Sequence, residues 1–149
     1  MIAAPALAWL NFSRPEREER GYSKMLSEEA TKTWRERVGR PLTIILGDTN
    51  LAAAAEFYSP DHPDAVAFFT LTTTPWVTTE RMQTEGFAAV CNAADTICLS
   101  RANELASSNP RAVSRNLEIV PSLFGYRARP ASFIIIISPP RAVASLQRS

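Results

Sequence analysis

Residues 42–58 read LTIILGDTNLAAAAEFY, and the fold class turns on how this stretch changes character at Gly47. Residues 42–47 form a short apolar run rich in β-branched side chains, which fits a strand covered on both faces. Asp48, Thr49 or Asn50 can then cap a helix through residues 51–58, which Ser59-Pro60 stops. A buried strand that hands over to a helix is the repeating unit of α/β architecture.

The pattern extends in both directions. Upstream, Ser23 or Ser27 is the expected cap of a helix reaching Val38, with Met25, Leu26, Ala30, Trp34 and Val38 near a helical period. Gly39 and Arg40-Pro41 end it. Downstream, AVAFFTL (65–71) and FAAVCNA (87–93) read as strands, and helices are expected near Thr79–Glu85 and from Thr96 to Ser107. NLEIVPSL (116–123) and SFIIIIS (132–138) are spaced for an antiparallel hairpin, and Ile134 to Ile137 lack any polar alternation, so that strand should be central. The order predicts a three-layer, Rossmann-like α/β domain: a mixed, mostly parallel sheet with a C-terminal antiparallel hairpin.

Organisation follows from composition. The 149 residues suit one domain, and 46% hydrophobic with 21% charged residues suits a packed core. We expect an apolar segment at 1–12, a charged linker at 13–22, a single α/β domain at 23–141 and a disordered tail at 142–149. The apolar segment MIAAPALAWLNF is too short to cross a bilayer, which takes about 20 residues, and has no basic stretch before it. It reads either as a segment packed on the core or mobile, or as the last turns of a transmembrane helix. In the second reading Trp9 and Phe12 sit at the interface, with Arg14, Arg17 and Arg20 beyond it.

Sixteen basic and 15 acidic residues are interleaved, which leaves no phosphate-binding face and argues against a nucleic-acid partner. His62 is the sole histidine, so a histidine zinc site or a Ser-His-Asp triad would rest on it alone. No second histidine or paired cysteine completes a metal shell around it. No serine stands in a G-x-S-x-G context. We expect no catalytic residue, no metal and no cofactor.

Two turns remain as candidate ligand sites. Gly47, Asp48, Thr49 and Asn50 lie where a strand meets a helix N-terminus, a place that can hold an anion, although neither a Walker loop nor G-x-G-x-x-G is present. An ordinary capped turn is the competing reading. Asp61 and His62, with Asp64 beside them, can supply acid–base or metal-ligating groups; the same SPDHPD segment also makes a stiff structural turn. Cys91 and Cys98 can bridge if the compartment is oxidising, or stay as two buried thiols. Trp34 and Trp76 read as core or rim packing rather than as sugar platforms.

Trp34-Arg35-Glu36-Arg37-Val38-Gly39-Arg40-Pro41-Leu42, then GDTNLAAAAEFYSPDHP (47–63), then Thr74-Pro75-Trp76-Val77, and finally Ile137-Ser138-Pro139-Pro140-Arg141 occur in order. Together they resemble the C-terminal soluble domain of bacterial family 39 glycosyltransferases, the relatives of protein mannosyltransferases and aminoarabinose transferases. The resemblance covers about residues 31–141 in pieces. It implies a periplasm-facing domain at the bacterial inner membrane, attached to a transmembrane portion that transfers a sugar from a polyprenyl-phosphate donor. The family's catalytic carboxylates belong to that transmembrane portion, and no position here matches them. The expected function is therefore an accessory domain that is not catalytic by itself, with the transmembrane portion, and a lipid-linked sugar or acceptor, as partners. Two alternatives stand beside it: a stand-alone Rossmann-like module for a nucleotide or sugar phosphate at Gly47–Asn50, and a homo-oligomerisation module using the apolar N-terminus.

Overall fold

The computed structural model describes residues 15–120, 122–123, 126–127 and 129–141. The expectations for residues 1–12 and for the tail at 142–149 lie outside the described residues.

Helix α1 (Pro15–Val38) leads into β1 (Ile44–Gly47), α2 (Thr49–Tyr58) and β2 (Asp64–Ala67). A 3₁₀ turn (Leu71–Thr73) and α3 (Thr79–Glu85) precede β3 (Phe87–Asn92) and α4 (Thr96–Ala106). The chain closes with β4 (Val113–Ile119), the short β5 (Ser122–Leu123) and β6 (Tyr126–Arg127), and β7 (Ala131–Ser138). The main sheet has the order β2-β1-β3-β7-β4. Pairing is parallel across β2-β1-β3 and antiparallel from β3 through β7 to β4. The expected α/β, three-layer, Rossmann-like architecture is the one found.

The two faces of the sheet carry separate cores. Ile45, Ala88, Val90, Phe133, Ile135 and Ile137 pack under Leu26, Ala30 and Trp34 of α1 and Leu51 and Ala55 of α2. Ile44, Leu46, Ala89, Cys91 and Ile136 pack under Met82 of α3 and Cys98 and Ala102 of α4. The isoleucine run thus serves both layers by simple strand alternation, which is why it needs no polar residue.

Helix α1 starts eight residues earlier than Ser23, so most of the expected linker is helical. Pro15 stands at its first position, where a missing N–H costs nothing. Ser23 and Ser27 are not caps. Ser27 Oγ donates to Ser23 O (2.6 Å) and Thr31 Oγ1 to Ser27 O (2.8 Å), so hydroxyls are satisfied by carbonyls one turn back and can be buried. Tyr22 replaces Met25 in the apolar ridge; Met25 faces solvent.

Strand β2 also ends earlier than expected, at Ala67. Phe68 and Phe69 take left-handed backbone conformations (φ 51° and 58°), which stop the ladder after Phe68 N–H donates to Gly47 O (2.8 Å). Phe69 then turns onto the α3/α4 core, while Phe68 stays 60% exposed. At the other end, β4 begins at Val113 rather than Asn116, and Val113 pairs with Ile137.

Gly47 is required by close approach. A Cβ there would stand 2.7 Å from Val90 O of β3, inside the contact distance of any real side chain. The adjacent strands can meet only because this position has none.

Candidate functional site

In an open α/β sheet, ligands bind outside the carboxyl ends of the strands where the strand order reverses. Here that switch lies between β1 and β3, since β2 returns on one side of β1 and β3 on the other. The crest of this edge is Gly47-Asp48, with a cleft on each side. One, of about 200 Å³, is lined by Tyr22, Asp48, Asn50, Leu51, Asn92 and Phe133. The other, of about 140 Å³, is lined by Asp48, Phe68, Phe69, Asp95, Ile97 and Arg101.

Both helix N-termini at the crest are already occupied. Asp48 accepts from Leu51 N–H (3.0 Å) and caps α2. Asp95 accepts from Cys98 N–H (3.0 Å) and caps α4. Each carboxylate complements its helix dipole and takes a backbone donor that an anion would need. Thr49 and Asn50 are exposed on the first turn of α2. The four residues Gly47 to Asn50 therefore form the expected strand-to-helix turn, and its charge disfavours a phosphate.

Asp61 and His62 stand elsewhere. β1 and β2 are parallel, with Ile44 opposite Asp64, so the SPDHPD segment lies at the amino edge, one strand length from Gly47. The structure does not bring the two sets of candidates together. Asp61 is a structural lock: its side chain is only 2% exposed, accepts from Leu42 N–H (2.8 Å) and is paired by the Arg35 guanidinium, whose Nε lies 3.1 Å from Oδ2. Burial pushes the Asp61 carboxyl up, but the Arg35 hydrogen bond, the Leu42 N–H and the nearby positive charge outweigh it and hold the group below the ordinary carboxylate range. Arg35 is raised in turn, chiefly by that hydrogen bond.

His62 occupies a left-handed turn (φ 45°), and its Nδ1 lies 3.1 Å from Glu56 O at the end of α2. A carbonyl only accepts, so Nδ1 carries the proton in this contact and the ring caps a carbonyl that the helix leaves open. Ser59 completes the turn. Its hydroxyl lies 2.8 Å from Thr31 Oγ1 and accepts from Asp61 N–H (3.2 Å). Since Thr31 gives its proton to Ser27 O, the Ser59 hydroxyl donates to Thr31.

The other pieces quoted from the sequence join this edge. Trp34 is buried with its indole N–H on Arg40 O (2.9 Å). Trp76 donates to Asp64 Oδ1 (3.1 Å), and Arg81 reaches Asp64 Oδ2 (2.8 Å) and Glu85. Arg141 N–H donates to Gln83 O (2.9 Å) and its guanidinium to Ser108 O (2.9 Å). The Trp-Arg, Ser-Pro-Asp, Thr-Pro-Trp and Pro-Pro-Arg signals therefore all mark structural joints.

Cys91 at the end of β3 and Cys98 in the first turn of α4 are joined in a disulfide, with Cα atoms 5.7 Å apart. The bond fixes the α4 N-terminus to the sheet beside the smaller cleft. Among the described residues, no group of three or more His, Cys, Asp or Glu side chains is placed to hold a metal ion. No described helix is long and apolar enough to cross a membrane.

The clefts include residues that composition did not single out: Asn92, Asp95, Phe68 and Arg101. Asp95 had a signal, being an Asp directly before a predicted helix at the end of a predicted strand. Two successive phenylalanines in the left-handed region had none. In comparisons with known proteins, no family model, no curated protein and no solved structure matches the chain.

Proposed function

We propose that this chain is an accessory domain, not catalytic by itself, that works beside the membrane portion of a glycosyltransferase using a polyprenyl-phosphate-linked sugar. The observation that carries the non-catalytic part is the engagement of the candidate acid–base groups. Asp61 is closed by Arg35 and Leu42, His62 caps Glu56 O, and Asp48 and Asp95 cap helices. The ordered resemblance to the soluble domain of family 39 transferases supplies the setting. The Cys91–Cys98 bond supports it, because such bonds persist in oxidising compartments such as the periplasm.

The genomic reading frame upstream of the Met1 codon tests this. A series of in-frame apolar segments of about 20 residues supports the reading. A promoter directly before Met1, with an unrelated gene beyond it, ends it.

The crevice at the β1/β3 switch favours a second reading, a small-molecule module. With Asp48 between the two clefts, its ligand would be neutral rather than a nucleotide or sugar phosphate. A neutral sugar at about 100 times its dissociation constant would stabilise the fold by about 2.7 kcal/mol, readable as a rise in Tm. A flat response across neutral sugars and phosphates removes this reading.

A further inference from the structure

We infer that the cleft between α3 and α4, where β3 begins and β7 ends, binds a free α-amino acid with an apolar side chain. The inference goes beyond the proposed function: this site lies away from the β1/β3 crevice and needs neither a membrane nor a lipid-linked sugar.

The cleft is built from the sheet outward. Phe87, the first residue of β3, stands opposite Ser138, the last of β7. Both are buried, and with Met82 of α3 they floor a cavity of about 260 Å³, larger than either cleft at the carboxyl edge. Asn109, also buried, fixes one end of this floor. Its Nδ2 donates to Ser138 Oγ (3.1 Å) and Pro139 O (2.7 Å), and its Oδ1 accepts from Arg111 N–H (3.1 Å). Neither Pro139 nor Pro140 has an N–H with which to extend β7, so the chain leaves the sheet here. Arg141 then ties it down, with its backbone N–H on Gln83 O of α3 and its guanidinium on Ser108 O beyond α4 (both 2.9 Å). Floor and rim are therefore fixed by the chain's own bonds.

The polar groups around this floor keep unspent capacity. Ser138 Oγ accepts from Asn109, and a hydroxyl also has a proton to give, which no acceptor takes among the described residues. Ser138 is only 4% exposed, so a donor sits at the bottom of the cleft. On the rim, Arg141 commits Nη2 alone, and the Glu104 carboxylate and the Gln83 side-chain amide have no partner among the described residues. Glu104 and Arg141 line one cavity without pairing with each other, since the ion pairs among the described residues are those of Arg35 and Arg81. A simple anion would meet Glu104, a simple cation would meet Arg141, and a neutral sugar would leave both charges unmatched. A zwitterion answers both: its carboxylate takes the Ser138 and Arg141 donors and its ammonium the Glu104 oxygens. An apolar side chain then covers Met82, Phe87 and Leu105. The volume falls just below the range of about 300–1,000 Å³ typical of drug-sized ligands, which suits a single amino acid rather than a peptide.

The test is isothermal titration calorimetry on the full chain with L-leucine, with isocaproate, which lacks the ammonium, with isopentylamine, which lacks the carboxylate, and with glucose. L-Leucine should bind saturably, and each of the other three about tenfold or more weakly. Glu104 is exposed and its carboxylate holds nothing described in place, so Glu104→Gln should keep the fold. That variant should weaken L-leucine about tenfold and leave isocaproate no weaker. Arg141→Gln should also weaken L-leucine about tenfold, but leave isopentylamine no weaker. The absence of saturable heat with L-leucine, L-methionine, L-valine and L-phenylalanine up to about 10 mM overturns the inference. Equal affinity of the wild type and Glu104→Gln for L-leucine overturns it too. So does glucose binding as tightly as L-leucine, which would make the cleft a neutral-sugar site.

Discussion

The ring of Trp34 sits over Gly86, so close that an alanine Cβ at residue 86 would stand 2.8 Å from Trp34 Cη2. The same Cβ would lie 2.6 Å from Ser138 O and 2.7 Å from Pro140 N. Gly86 also has φ +75°, a conformation that side chains resist. Gly86→Ala should therefore cost about 2–4 kcal/mol, the sum of overpacking and backbone strain. Urea denaturation gives the number, and a change below the error of that method would mean that Trp34 and the β7 exit shift freely.

Acid should loosen the amino edge. The folded state lowers the Asp61 carboxyl below its unfolded value of about 3.9, so the folded protein binds fewer protons there than the unfolded chain. The stability it contributes is fully present above that unfolded value and is lost as pH falls through the lower folded one. Compared with Asp61→Asn, the wild type should lose more stability between about pH 4 and pH 2. Parallel pH–stability curves would contradict this.

Opening the disulfide should lower stability without unmaking the fold. Cys91 and Cys98 close an eight-residue ring, and the chain-entropy estimate for so short a loop is about 2–3 kcal/mol. The double variant Cys91→Ser, Cys98→Ser should show a lower denaturation midpoint with native circular dichroism. Reduction of the wild type should match it.

The two crest carboxylates should behave as caps. Asp48→Asn keeps an oxygen for Leu51 N–H and should cost a few tenths of a kcal/mol, whereas Asp48→Ala should cost about 1 kcal/mol. Equal effects of the two substitutions would show that the charge, not the cap, is what the site uses.

Much of the fold was legible in the sequence because its signals are local. The run at Ile44–Leu46, the cap candidates at Asp48–Asn50 before α2, and the uninterrupted isoleucines of β7 each declare their own element. Helix α1 was only half legible: serines at 23 and 27 look like caps until their hydroxyls are seen to bond carbonyls one turn back. The break after Ala67 was not legible, since aromatic residues ordinarily favour strand and only the Arg101 contact and the core position of Phe69 account for the turn. The candidate site was legible as two turns but not as two separate edges, because parallel pairing of β1 with β2 is what drives them apart. Likewise, no spacing rule could say that Asp61 would be claimed by Arg35, 26 residues earlier.

The claim that the polar groups of the SPDHPD turn hold structure rather than run chemistry is tested most directly by the unfolding free energy of Asp61→Ala. Removing that carboxylate leaves Leu42 N–H and Arg35 without their partner, and the expected loss is about 1–3 kcal/mol. An unchanged unfolding free energy would mean that Asp61 is free for a ligand or a proton, and would contradict the account.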